Sequence, residues 1–395
     1  MPAASPAVAA PRVRFDRSEL AGAFGDIGTS LPIIVALLAA TDLNAAGVLI
    51  AFGLAQISTG LLYGLPMPVQ PLKAMAVIVI AGQASGGLLQ LAGLLIGALM
   101  LLLSASGALD WLSRAIPPCV VRGLQAGLGL MLGRTALALA GREGGAWGWA
   151  AACAAVATLF LLRKNRRLPG ALLVIGVALL WTAAFRLDWS TLAGGVGLAV
   201  PIPVAWPLDQ WLTALTLLVL PQLPLSLGNS VIATQQTARD LFPARGFTLR
   251  KLGLTYASIN LLAPWLGGIP VCHGCGGLAG NHALGARTGG AVVIYGALFV
   301  LAGLLFSGVF VTLVHAFPSP ILGAVLFVEA SVLVLLLRDL KNSPVAGALA
   351  LGVAALCVFA PQGYLTGLVA GVAAYYALRA AGTRFDLRAT SLPSS

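Results

Sequence analysis

Between residues 88 and 108 the chain reads LLQLAGLLIGALMLLLSASGA, a stretch without a single charge. At about 1.5 Å per residue a helix of that length crosses roughly 30 Å of hydrocarbon. Runs of this kind recur along all 395 residues, of which 59% are apolar and only 9% charged. A soluble chain of this size needs a far more charged surface. The sequence therefore describes an all-α polytopic membrane protein with little mass outside the bilayer. Its 48 glycines suit helices that pack through small residues.

The hydropathy pattern gives fourteen spans. The first seven lie near 20–40, 44–64, 70–84, 88–108, 116–140, 146–162 and 168–186. The second seven lie near 210–236, 251–267, 272–283, 288–314, 319–338, 343–360 and 362–380. Residues 187–209, rich in Gly and Pro, link the two sets; 1–19 and 381–395 are tails. The opening MPAASPAVAAPRVRFDRSEL has no apolar core ahead of its basic residues and is not a cleavable signal. With the N-terminus inside, 19 of the 23 Lys and Arg fall on cytoplasmic segments, among them Arg122 and the RKNRR cluster at 163–167. That asymmetry puts both termini in the cytoplasm and accounts for the net charge of +11 without nucleic acid as a partner; a multi-pass protein of the inner or plasma membrane is expected.

The two sets resemble each other. Pro68-Val69 and Pro270-Val271 stand 202 residues apart, Gly25-Asp26 and Gly228-Asn229 stand 203 apart, and Pro117 and Pro318 stand 201 apart. Seven spans is an odd number, so the second repeat is inverted relative to the first, the architecture of secondary transporters. Spans three and ten are short because PMPVQPLKAMA (66–76) and IPVCHGCGGLAG (269–280) interrupt them. Proline removes a donor and drives its predecessor away from helix, so Pro66, Pro68 and Pro71 impose an extended approach. Pro71 is then placed to start a short helix through Leu72 and Lys73. Such a half-helix begins at mid-membrane and presents unpaired amides and a partial positive charge there. Two of them, N-terminus to N-terminus, make an anion site. Lys73 adds a full charge, Gln70 a donor, and the run Cys272, His273, Gly274, Cys275, Gly276 lets a ligand approach the backbone closely.

LAGAFGDIGTSLPIIVAL (20–37), PVQPLKAMA (68–76), LPQLPLSLGNSVIAT (220–234) and PVCHGCGGLAGNHALGARTG (270–289) resemble the signature segments of the molybdate transporter branch of the SulP anion transporter superfamily. The resemblance covers both halves. It implies seven plus seven inverted spans divided into a core domain (spans one to four and eight to eleven) and a gate domain. It also implies a substrate site between spans one, three, eight and ten, transport of molybdate or a related oxyanion, and a homodimer as one arrangement. Only about 15 residues follow the last span, so the cytoplasmic STAS domain common among SulP proteins is not expected. Where many relatives carry an acid in the eighth span, this chain has Asn229, so their cation coupling is not carried over.

An acid within a span is functional by default. Asp26 is read first as a structural partner of Lys73, with proton acceptance or capping of the tenth span as alternatives. Thr29, Ser30, Ser226 and Asn229 offer neutral donors to the anion. His273 is expected at the substrate or the helix start, and Glu329 in a packing or gating pair. The Cys272–Cys275 spacing with His273 imitates a zinc motif, but no second ligand cluster accompanies it, so neither metal nor cofactor is expected. The remaining rivals are a sulfate or other anion transporter, an anion channel on the same scaffold, and an intramembrane redox enzyme built on the two cysteines.

Overall fold

The computed structural model describes residues 13–143, 145–162, 170–187, 194–202, 205–361 and 363–382. The RKNRR cluster, parts of the 187–209 linker and most of both tails lie outside these residues.

Helices form where the apolar runs lie, and small polar residues start several of them. Asn44 accepts from Gly47 N to open α3 (Ala45–Tyr63), Ser85 from Leu88 N to open α5 (Gly86–Ser106), and Thr248 from Lys251 N to open α11 (Leu249–Leu262). Left-handed Gly64 and Gly107 close α3 and α5. Before α3 come α1 (Arg17–Gly22) and α2 (Ile27–Ala40); between α3 and α5 lie strand β1 (Val69–Pro71) and α4 (Lys73–Ile80). There follow α6 (Ala108–Ala115), α7 (Pro118–Arg142), α8 (Gly145–Leu162) and α9 (Gly170–Phe185). The second half holds α10 (Leu208–Leu241), α11, strand β2 (Val271–His273), α12 (Cys275–Ala283), α13 (Gly290–Leu305) and α14 (Ser307–Ala316), then α15 (Ser319–Leu335), α16 (Pro344–Phe359) and α17 (Gly363–Ala380).

By length and composition six of the described helices can cross a membrane, or seven if α13 and α14 count as one bent span; α2, α9 and α16 are shorter apolar helices. The molecule is a mostly helical, polytopic membrane protein. Its helices pack in corresponding pairs: α3 lies on α13 and α11 on α5, while α7 packs on α15, with α16 and α17 against α7 and α8 and α9 against α15. This gives two bundles, one around the strands and one around the α7–α15 pair.

Four sequence expectations change. The architecture is not purely helical: β1 and β2 pair antiparallel, Val69 opposite His273, Gln70 opposite Cys272 and Pro71 opposite Val271. Extended backbone away from water must find partners, and the two proline-imposed segments find each other. The first span is broken at residues 23–26, where Gly25 packs so tightly on the backbone of Gly280 and Asn281 that no side chain fits between them. The eleventh span is two helices bent by 95°. There the linker interferes: Gly197 N and Ala199 N donate to the carbonyls of Leu305 and Leu304, which the helical ladder would otherwise use. Finally, α6 is an added short helix between the fourth and fifth spans.

Glu19, fully buried on α1, was not singled out from the sequence. Its carboxylate accepts from the amides of Arg287 and Thr288 (both 2.9 Å) and Ala291 (3.1 Å), tying the chain start to the head of α13.

Candidate functional site

The two strand–helix units meet at the centre of the first bundle. Gln56 of α3 clamps Val69 by both main-chain groups, accepting from its N–H at 3.0 Å and donating to its carbonyl at 2.8 Å. Asn260 of α11 treats Val271 identically, at 2.9 and 2.7 Å. Leu72 N donates to Pro270 O at 3.1 Å. Leu72 and Gly274 then begin α4 and α12 in extended conformation. Because the strands are antiparallel, the helices leave in opposite directions with their N-termini adjacent. Helical bonding closes first at Ala76 N to Leu72 O and at Leu278 N to Gly274 O. The amides of Lys73, Ala74 and Met75, and of Cys275, Gly276 and Gly277, therefore precede any acceptor within their own helix. A Cβ on Gly274 or Gly277 would collide with Gln70 or Asp26, whereas one on Gly276 would meet nothing within 4 Å.

Around these starts stand two carboxylates with different partners. Asp26, 2% exposed, accepts from Ser30 Oγ at 2.6 Å and from Gln70 Nε2. Lys73 does not pair with it. Lys73 Nζ lies 2.9 Å from Glu329 Oε2, and Thr29 Oγ1 donates to Glu329 Oε1 at 3.1 Å. The expected Lys73–Asp26 pair is thus corrected to Lys73–Glu329. Two neutral donors from α2 and β1 already serve Asp26, and α15 brings the second carboxylate across from the other bundle.

The remaining donors are largely engaged. Gln222 Oε1 accepts from Ala74 N at 2.9 Å, and its Nε2 donates to Ser226 Oγ, which shares a bond of 2.9 Å with Tyr256 OH. Asn229 Oδ1 accepts from Gln125 Nε2 of α7 (2.9 Å), and Gln125 Oε1 accepts from Arg122 Nη1 (2.9 Å). Arg122 also forms an ion pair with Asp339. Ser226 and Asn229 sit where α10 runs as a π-helix over Ser226–Ala233, a widened turn common at functional sites. Cys272 and His273 are neighbours in a strand and so face opposite ways. His273 Nε2 lies 2.9 Å from Thr255 Oγ1 with its ring edge-on to Tyr63. His273 therefore turns away from the helix starts, and the two side chains do not converge on a common point.

The structure brings Asp26, Thr29, Ser30, Gln70 and Lys73 together with the heads of α4 and α12. It adds Gln222, Gln125 and Arg122, which sequence reasoning passed over. Arg122 served only as an orientation marker there. Gln222 carried a signal, an amide between two prolines in an apolar run (LPQLP), of the kind that marks a buried polar partner.

Two strand-led short helices at the centre of one of two packed helical bundles define this class of polytopic membrane fold, and solved transport proteins share its overall form. The transmembrane domain of a cyanobacterium bicarbonate transporter, BicA, superposes with a TM-score of 0.67 at 15% identity, covering 91% of this chain and 98% of that one. The murine Slc26a9 anion transporter in its inward-facing state gives 0.68 at 13% identity, covering 95% and 70%. The family described as "Molybdate transporter of MFS superfamily" matches residues 18–132 and 214–333. Molybdate transporter 1 of Arabidopsis thaliana is 31% identical over 370 residues, spanning 82% of this chain and 80% of its own length. Molybdate transporter 1 of Chlamydomonas reinhardtii is 30% identical, spanning 93% and 94%. The chain belongs to the molybdate transporter family.

Proposed function

We propose that this protein is a secondary transporter of a tetrahedral oxyanion, molybdate before sulfate or tungstate, held between the N-termini of α4 and α12. One observation carries the reading. Two proline-led strands pair antiparallel and aim two helix starts at one point beside Lys73. Partial positive charge at each helix start favours an anion by about 0.3–1 kcal/mol, and by up to about 2 kcal/mol when partly buried. Two opposed starts plus a cation replace part of a dianion's hydration without a cage too tight for release. The open face of Gly276 is where its oxygens fit, with the amides of Cys275 and Gly276 as donors; Thr29 donates once it leaves Glu329, and Gln70 through the amide hydrogen that Asp26 does not take. Ser30, Ser226 and His273, each occupied by protein partners, act in support.

In this reading the chain makes fourteen spans as two inverted repeats, 20–186 and 210–380, with α4 and α12 as half-helices of spans three and ten. The bundle around the strands is the core domain and the α7–α15 bundle the gate. Rigid displacement of one against the other exposes the site alternately to the two sides of the cell membrane. Both termini are cytoplasmic by the charge asymmetry, and no covalent chemistry is involved. The family relationship points to a transporter in place of an enzyme. The test is uptake of molybdate by proteoliposomes carrying the purified protein, against excess sulfate. Saturable uptake supports the transporter, voltage-driven currents without saturation favour a channel, and absence of both molybdate binding and uptake removes the substrate assignment.

A further inference from the structure

The Lys73–Glu329 contact joins the two bundles through one carboxylate used at both oxygens. Oε2 takes Lys73 of α4 and Oε1 takes Thr29 of α2, so two donors at the mouth of the helix-start site are served by a single acceptor from α15. An oxyanion offers the same edge of two adjacent acceptor oxygens. The second carboxylate of the site shows the contrast. Asp26 is satisfied by Ser30 and Gln70, next to the strands, and reaches across to no other bundle. The bridging pair is also not sealed: the side chains of Lys73 and Glu329 are 29% and 18% exposed. An ion pair kept for stability alone gains little over apolar packing. A pair at the head of a half-helix, reachable from the site, can be exchanged.

We propose that Glu329 is a tethered surrogate for the transported anion: it holds Lys73 and Thr29 until an oxyanion displaces it, so that binding unfastens α15 from α4. The inference rests on the reading of the helix starts as an oxyanion site. Occupancy and mobility are then one event. Without the oxyanion the two bundles are linked by a charge-assisted bond. With it, the two core donors serve the ligand and the gate carboxylate is free, so the domains move only when loaded. Substrate and surrogate compete for the same donors, and affinity is lowered by whatever the surrogate contributes.

The experiment is calorimetric titration of molybdate into the purified protein, wild type against Glu329→Gln, with melting temperatures measured with and without saturating molybdate. The neutral amide competes poorly, so the variant is expected to bind molybdate roughly tenfold more tightly, equivalent to 1.4 kcal/mol. It should also melt lower than wild type without molybdate, and that gap should close at saturation, because the lost link is already broken in the bound protein. Equal affinities with a gap that persists at saturation would mean a purely structural pair and overturn the inference while leaving the oxyanion site standing. A wild type that binds no molybdate overturns the site reading and this inference with it. Should Glu329→Gln not accumulate folded, Glu329→Asp keeps the charge but shortens the reach, and tighter binding is expected there too.

Discussion

Asn260 holds Val271 by both its N–H and its carbonyl, as Gln56 holds Val69. The two amides lie 204 residues apart and the two valines 202 apart, so one clamp is built twice. Each clamp satisfies main-chain groups that a broken membrane helix would leave bare. Removing one orphans a buried donor and a buried acceptor, at about 1–3 kcal/mol for each group. Asn260→Ala and Gln56→Ala are therefore expected to lower the melting temperature clearly and to weaken molybdate binding, since the strands set the two helix starts. Thermal melts of detergent-solubilised protein followed by size exclusion measure the first effect. A variant as stable as wild type would show that the strands hold themselves.

Neighbouring glycines of α12 are expected to behave in opposite ways. A methyl group at Gly277 collides with Asp26 and Gln70, so Gly277→Ala should destabilise the fold or displace the Asp26 network. A methyl at Gly276 meets nothing within 4 Å beyond its chain neighbours and its own helix backbone. Gly276→Ala should therefore melt as wild type does, or slightly higher through lower chain entropy, yet lose most molybdate uptake by standing where the anion approaches. Unimpaired uptake in a well-folded Gly276→Ala protein would put the anion elsewhere.

The elements that sequence patterns disclosed are those dictated by local chemistry. Prolines at 68 and 71 and at 270 dictated extended backbone followed by a helix start, and both appear, but Pro71 itself ends β1 in place of opening the helix, which starts at Lys73 after Leu72. What stayed hidden depends on residues far apart in the chain. The pairing of the two extended segments needs Val69 opposite His273, and no local propensity encodes a partner some 200 residues away. The same holds for Lys73: Asp26 was the nearer candidate, but Glu329, 256 residues on, reaches it when α15 packs across. The bend at Phe306 was invisible for a related reason, because an uninterrupted apolar run is broken by linker amides that arrive from outside it. His273 was misjudged through strand alternation, since a residue next to the site in sequence points away from it once the segment is β.

That alternation bears on the cysteines. Cys272 is buried within β2, and Cys275 opens α12. If the site works through helix amides and Lys73, the thiols are not chemically required. The double variant Cys272→Ser, Cys275→Ser should retain nearly all molybdate uptake in proteoliposomes, with a modest loss of stability from placing a hydroxyl at buried Cys272. Abolished uptake in a protein of normal melting temperature would revive a redox or metal role.

Outside the spans, Glu143 and Arg186 join the turn after α7 to the end of α9, and Glu143 Oε1 also accepts from Ser319 N at the head of α15. Partial burial acts to raise the Glu143 carboxyl, but the bonds from Arg186 and Ser319 outweigh it and hold the carboxyl below its ordinary value of 4.5. A carboxylate depressed on folding stabilises the protein above the unfolded value, and that contribution disappears as pH falls through the folded one. Both side chains are partly exposed, 22% and 32%, so screening limits the effect to roughly 1 kcal/mol. Glu143→Gln is accordingly expected to melt lower than wild type at pH 7 and progressively closer to it as pH drops below 4.5. A difference that stays constant across that range would assign the loss to packing against Ser319 and not to charge.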